Sequence, residues 1–329
     1  LDKYLIIQTS FIGDVILATS LIETLAEATN NKASIEILVR KGNEQLLQNH
    51  PLISKVHIWN KKNKKYKNLF HLVKKLKPTK YKRVYNLQRF ASTGYVTWQL
   101  NAEVKVGYNK NPLSLFFDRK IEHEIGNGEH EIQRNFKLIS ADFPQQKAAL
   151  KPRLYPSESD FQKIEEMLGS IKSYVVFAPA SVWFTKQAPK EKWIELTKLY
   201  AQNQHIVFIG APSDKAFINE IIYEANEANC LNAAGAISLL QSAALIKGAK
   251  RSFVNDSAPL HLASAMNAPV TAFFCSTIPS FGFGPLSDDQ RIIETELNLK
   301  CRPCGLHGFK TCPETHFKCG TSLLIDSKY

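Results

Sequence analysis

The 329-residue chain has no apolar run near the roughly 20 residues that a membrane-spanning helix requires. Its opening, LDKYLIIQTSFIGD, lacks the basic start and small-residue cleavage site of a signal peptide and alternates as a strand does. Residue 1 is Leu, which is read as an initiator Met trimmed or left outside the sequence. These absences point to a cytoplasmic protein. Neither GxGxxG nor GxxxxGK[ST] follows the first strand, which excludes the standard dinucleotide and P-loop signatures. No helix-turn-helix, RNP-like or zinc-finger spacing accompanies the basic residues, so nucleic acid is not an expected partner.

What the chain does have is a lysine-rich segment. Net charge is +12, and Lys61, Lys62, Lys64, Lys65, Lys67, Lys74, Lys75, Lys77, Lys80, Lys82 and Arg83 crowd together. Such a patch suits an anionic partner, an acidic lipid headgroup or an acidic saccharide, or else it is a solvated basic face. With 44% hydrophobic and 22% charged residues the remainder reads as an ordinary soluble protein, long enough for two domains.

Apolar runs alternate with helical patterns along most of the chain. Strands are expected at 3–8, 34–39, 55–59, 83–87 and 104–106. Helices are expected at 15–28 (amphipathic), 43–48, 69–76, 91–100 and 131–141. Pro144, Pro152 and Pro156 bracket a stretch read as an interdomain linker, placing the domains at 1–153 and 154–329. A second alternating unit follows, so the fold class is α/β, two Rossmann-like doubly wound domains facing a cleft.

The most informative stretch is Ser252–Ser276, SFVNDSAPLHLASAMNAPVTAFFCS. Two apolar runs flank a polar turn and a short helix, with Ser257 or Ala258 at the N-cap and Pro259 in the first turn. The first-turn N–H groups and the positive end of the helix dipole form a place for an anion, and Asp256 and His261 flank it. A capped structural helix is the equal alternative. Gly13 is expected to make a tight turn, and Asp14 stands at the carboxyl end of the first strand, as a ligand group or as a cap. Ser181, Thr185 and Lys186 offer two hydroxyls and an ammonium at a later strand end, fit for diphosphate or merely surface groups. Asp214, after a Gly-Ala-Pro turn, either bonds a ribose diol or caps the next helix. Cys301, Cys304, Cys312 and Cys319 crowd the tail with His307 and His316; the spacing matches no standard finger, but in the cytoplasm such density suggests a structural zinc or another metal ahead of disulfides, with unmetallated thiols as the further alternative.

Four of these segments, IIQTSFIGDVILATSLIETL, FAPASVWFTKQAPKEKW, FIGAPSDK and VNDSAPLHLASAMNAPVTAFF, resemble glycosyltransferase family 9, the heptosyltransferases of the lipopolysaccharide inner core. The resemblance spans nearly the whole chain, and the tail CRPCGLHGFKTCPETHFKCG is similar to that of a subset of members. It implies a GT-B fold with an N-terminal acceptor domain, a C-terminal nucleotide-sugar domain and a final helix crossing back. It also implies inverting transfer from ADP-heptose to a glycolipid acceptor, with no catalytic metal and with peripheral contact at the inner membrane. Asp14 then matches the general base, Ser181 (or Thr185) and Lys186 the phosphate contacts, and Asp214 the ribose contact. Asp256, Ser257 and His261 match the family's Asp-Ser/Thr-Gly turn and following histidine. Ala258 replaces the usual Gly, which matters if that position needs positive φ, and Ala188 replaces a common Trp. Rival readings are a nucleotide-sugar epimerase or hydrolase on the same architecture, or a non-catalytic saccharide-binding relative. Because members without the cysteine tail exist, the tail is expected to serve stability more than transfer.

Overall fold

A computed structural model describes residues 1–326 of the chain. The chain divides into two compact units, Leu1–Tyr155 and a second beginning at Pro156.

In the first unit, β1 (Asp2–Ile7), β2 (Ala33–Arg40), β3 (Ile53–Trp59), β4 (Tyr81–Asn86), β5 (Ala102–Tyr108) and β6 (Arg119–Ile121) form one sheet in the order β3-β2-β1-β4-β5-β6. Every pairing is parallel. Helices α1 (Ile12–Ala28), α2 (Lys65–Leu76), α3 (Ala91–Gln99) and α4 (Glu131–Ser140) complete the unit. Tyr4 through Ile7 are all buried, as a central strand covered on both faces must be. The order reverses between β1 and β4, and open α/β sheets bind ligands beyond the strand ends at such a switch point.

Three local expectations differ. The helix expected at 43–48 is a single 3-10 turn, Glu44–Leu47. Gly13 makes no tight turn: it lies in the first turn of α1 and is not among the residues with positive φ. α1 is not amphipathic, because every residue from Val15 to Ala26 is buried. The stretch read as a linker accounts for that burial by lying against the helix. Leu150 N–H donates to Thr24 Oγ1 (3.0 Å), Arg153 N–H to Thr19 Oγ1 (3.0 Å) and Tyr155 OH to Glu23 Oε1 (2.8 Å). Hydroxyls and a carboxylate inside a buried helix thus find partners in the backbone and the Tyr155 hydroxyl of the passing segment, as buried polar groups require.

The second unit repeats the design. Strands β7 (Tyr174–Ala178), β8 (His205–Phe208), β9 (Cys230–Asn232), β10 (Ser252–Asn255), β11 (Val270–Phe274) and β12 (Gln290–Glu294) form a parallel sheet in the order β12-β11-β10-β7-β8-β9. Its helices are α5 (Glu158–Leu168), α6 (Lys190–Ala201), α7 (Lys215–Ala225), α8 (Leu239–Gly248), α9 (Ala258–Met266) and α10 (Lys318–Thr321). Here the switch point lies between β7 and β10. Phe177, Trp193, Phe208, Phe253 and Phe273 form the centre of the core.

The resemblance implies a final helix crossing back, and after β12 the described residues contain only the four-residue helix α10. The cysteine tail is instead bolted to the sheet. Arg302 donates to the carbonyls of Cys275 (2.6 Å), Thr277 (2.8 Å) and Phe274 (3.2 Å) at the end of β11 and pairs with Glu294. Phe317, Cys319 and Leu323 enter the main core. No helix among the described residues is long and apolar enough to cross a membrane.

Candidate active site

In the second unit the chemistry collects at the carboxyl ends of β7 and β10. Asn255, fully buried at the end of β10, accepts from Ala188 N–H (2.9 Å) and donates to Pro179 O (2.8 Å), tying both ends of the loop after β7. Gln187 Oε1 accepts from Ser181 N–H (3.1 Å) and fixes the same loop from inside. Lys186 is thereby held so that its ammonium meets Asp256 Oδ2 at 2.6 Å. Thr277 Oγ1 donates to that same oxygen, also at 2.6 Å. Asp256 is buried, and two hydrogen-bond donors offset the cost of holding its charge there.

Ser257 is the N-cap of α9, in extended conformation, and its side chain makes no cap bond to the helix. The Ser257 side chain thus leaves the first turn of α9 uncapped, while Leu260 N–H donates to the Ser257 carbonyl (3.1 Å) and Pro259 adds no N–H. Ala258 is not among the residues with positive φ, so its methyl group introduces no backbone strain. His261 is buried on the same short helix. A lysine ammonium and a helix N-terminus are the kinds of group from which anion sites are built.

Thr185 departs from its expected role. It is 1% exposed, and its hydroxyl accepts from Phe309 N–H (2.7 Å) and from Ser276 Oγ (3.0 Å). Its own N–H donates to Phe309 O (3.1 Å). Thr185 therefore anchors the tail beneath the loop, and of the two hydroxyls only Ser181 remains for a ligand. Gly308, beside Phe309, packs so close that a Cβ there would stand 2.9 Å from Lys186 Cγ. Asp214 closes its own turn, Oδ2 accepting from Ala211 N–H (2.8 Å) and Oδ1 from Ser213 Oγ (3.2 Å).

All six cysteines are free thiols. The Cys304 thiol is pushed up, first by burial and then by the charges of Cys301 and Cys312. Cys319 is pushed up to about 11 by burial and then by Cys304, Cys312 and Cys301. The four tail thiols thus feel one another's charge. Among the described residues, however, no group of three or more His, Cys, Asp or Glu stands in metal-holding positions.

In the first unit, Asp14 lies beyond the end of β1, in the first turn of α1. Its Oδ2 accepts from Phe11 N–H (3.1 Å), the bond expected of a cap. Burial, and after it the charge of Glu131, pushes its carboxyl up to about 6, against the smaller opposing effect of that bond. A carboxyl near 6 is poised to accept a proton at neutral pH. The loop before it is pinned from two sides. Asn43 Nδ2 donates to Ser10 O (2.9 Å), and Lys61 Nζ donates to Thr9 O (2.7 Å) and Thr9 Oγ1 (2.9 Å). Lys61 also lies over the Trp59 ring at 4.6 Å, and burial, with the charges of Lys65 and Arg40, lowers it to about 8.

Asn255, Thr277 and Glu131 are residues of the candidate site that sequence reasoning misses, and Lys61 is one that it names only as part of a basic run. Asn255 sits inside the quoted turn and could have been found there. Nothing in the sequence separates Lys61 from the other lysines of its run.

The pattern of glycosyltransferase family 9 (heptosyltransferase) matches residues 69–310. Lipopolysaccharide heptosyltransferase 3 of Escherichia coli is 27% identical over 278 residues, covering 81% of this chain and 82% of its own length. A family 9 glycosyltransferase structure from Veillonella parvula superposes with a TM-score of 0.82 at 19% identity, over 91% of this chain and 89% of that one. E. coli heptosyltransferase WaaC, solved with ADP, gives 0.72 at 22% identity, over 88% and 92%. Two parallel six-stranded sheets are thus the GT-B fold of these structures, and the chain is an enzyme that belongs to glycosyltransferase family 9.

Proposed function

We propose that the chain moves heptose from ADP-heptose to a lipopolysaccharide-core glycolipid, with inversion at the anomeric carbon. The observation that carries this reading is the elevated Asp14 carboxyl, a base at the switch point of the first sheet. Asp14 removes the acceptor hydroxyl proton as that oxygen attacks the anomeric carbon. The bond to the diphosphate breaks and ADP departs with the electron pair. Lys186, the Ser181 hydroxyl and the α9 amides take up the charge that grows on the leaving diphosphate, a contribution worth on the order of 100- to 1000-fold in rate per donor. Asp214 faces the ribose, while Asp256 and His261 orient the phosphate groups. The Lys61 ammonium, charged and half-buried beside Thr9, suits an acidic acceptor. Such an acceptor, anchored in lipid, is met at the cytoplasmic face of a membrane, with the protein in peripheral contact.

We further propose that Cys301, Cys304, Cys312 and Cys319 close around a structural metal, zinc in the first instance, since four thiolates suffice for a tetrahedral site. It lies outside the transfer step.

A panel of ADP-, GDP-, UDP- and dTDP-sugars, each assayed with and without a core-oligosaccharide acceptor, tests the function. Acceptor-dependent release of ADP from ADP-heptose is the expected result. Alteration of the donor without acceptor would replace transfer by epimerisation or hydrolysis.

A further inference from the structure

Between Glu44 and Glu103 the chain has no aspartate or glutamate but thirteen lysines and arginines. The remaining basic and acidic residues nearly cancel, so the whole net charge of +12 resides in this one segment. Helix α2 lies within it, and its first turn is set against the helix dipole, whereas Lys74 and Lys75 in its last turn complement it. Lys64 is the N-cap, Lys65 and Lys67 occupy the first turn, and no acidic residue stands there. Cations at the positive end of a helix dipole oppose it. External anions at this end would relieve that opposition.

The same helix carries exposed aromatic surface. Its inner face buries Leu69, Leu72, Val73 and Leu76, while Tyr66 and Phe70, one turn apart, are 63% and 55% exposed. From Phe70 the rings continue across α3 without a break: Phe70 to Tyr95 at 5.6 Å, Tyr95 to Trp98 at 6.1 Å, Trp98 to Phe116 at 4.4 Å. Leu115, next to the last ring, is 65% exposed. Lysines flank this row. Lys67, Lys74 and Lys77 share the outer face of α2 with Phe70, and Lys105 Nζ donates to the Trp98 carbonyl at 2.8 Å. Asp118, the nearby acid, has its carboxylate turned to the Lys105 N–H at 2.7 Å.

We propose that this face, α2 with α3 and the turn bearing Leu115 and Phe116, is where the protein docks on an anionic phospholipid bilayer. Lysines over an aromatic row match the composition of an interfacial surface, in which rings enter the headgroup layer and ammonium groups meet lipid phosphates. A single-stranded nucleic acid would also meet positive charge and rings. However, the four rings stack on one another edge to face or in parallel, and the outermost group, Leu115, offers a base nothing to stack on. The inference rests on the transferase reading only in that a lipid-anchored acceptor is found at such a surface.

Cosedimentation of the full chain with vesicles tests it, using phosphatidylcholine alone or with about one part in three phosphatidylglycerol. The expected result is at least about tenfold tighter binding to the anionic vesicles, lost at high salt. The Lys67→Gln/Lys74→Gln double variant binds them about 25-fold more weakly, about fivefold per charge. The Phe70→Ser/Leu115→Ser variant loses at least about tenfold. Brominated acyl chains quench the parent fluorescence, and the Trp98→Phe variant loses that quenching. Equal binding to neutral and anionic vesicles, no binding to either, or a lysine variant that binds like the parent overturns the proposal. A single-stranded oligonucleotide that binds more tightly than the vesicles, and equally well to the Ser variant, assigns the face to nucleic acid instead. The vesicles contain neither donor nor acceptor, so failure here leaves the transfer reading intact, and failure of transfer leaves vesicle binding to be measured.

Discussion

Lys186 and Asp256 meet at 2.6 Å, one from the loop after β7 and the other from the turn between β10 and α9. The contact holds the ammonium at the turn that leads into α9. It follows that Lys186→Ala weakens ADP about 10- to 100-fold, the worth of one charge-assisted bond, while adenosine binding barely changes. Calorimetry with the two ligands decides the matter, because equal losses would mean that Lys186 acts through folding.

Gly308 tests whether the tail sets the position of that lysine. Its φ is +73°, and an added Cβ would lie 2.9 Å from Lys186 Cγ, 3.0 Å from Thr185 Oγ1 and 3.3 Å from Trp183 Cβ. Gly308→Ala therefore displaces the Lys186 stem in addition to the strain of a left-handed alanine, about 1 kcal/mol. ADP affinity is expected to fall at least about fivefold with the fold intact by circular dichroism. Unchanged affinity would show that the stem gives way at no cost to the site.

Asp14 carries a pH prediction with two opposite signs. Its carboxyl is raised from 3.8 to about 6. As a base it must be ionised, so transfer rises as pH climbs through about 6 and then levels off. Stability runs the other way. The folded chain holds this proton more tightly than the unfolded chain, so the contribution is complete below the unfolded value and is lost as pH rises from about 4 to about 6. Asp14→Asn removes that slope and lowers turnover at least about 100-fold, with ADP affinity retained. An Asn variant with parental turnover would leave Asp14 as a cap alone.

Much of this architecture was legible in residue order. The strands from Tyr4 to Ile7, Tyr174 to Ala178 and Val270 to Phe274 announce themselves because both of their faces are buried, which demands unbroken apolar runs. The short edge strands β6 and β12 carry polar, partly exposed residues and give no such signal. α1 misled for a related reason. Thr19, Ser20, Glu23 and Thr24 mimic a polar stripe, and their burial depends on partners near residue 150 that local periodicity does not reveal. At the site, Lys186 and Asp256 were legible as chemistry, but their contact was not, because it is made by folding. The misassignment of Thr185 has the same origin. A hydroxyl at a strand end is equally suited to phosphate or to a neighbouring amide, and here Phe309 takes it.

The cysteine tail supplies the last prediction. The sequence suggests a tail that serves stability more than transfer, and Gly308 and Phe309, between Cys304 and Cys312, pack on Lys186 and Thr185. If the four tail thiols close around a metal, protein purified without chelator holds about one zinc or iron per chain. Stripping that metal then releases the loop that sets Gly308 against the lysine. The expected loss is therefore selective: ADP affinity drops several-fold while the sheet core, anchored by Arg302 at the end of β11, stays folded. Elemental analysis, a thiol count under native conditions and calorimetry before and after chelation make the check. Protein that contains no metal, exposes all four tail thiols to reagent and binds ADP equally well with or without chelator would mean that hydrogen bonds and packing alone hold the tail.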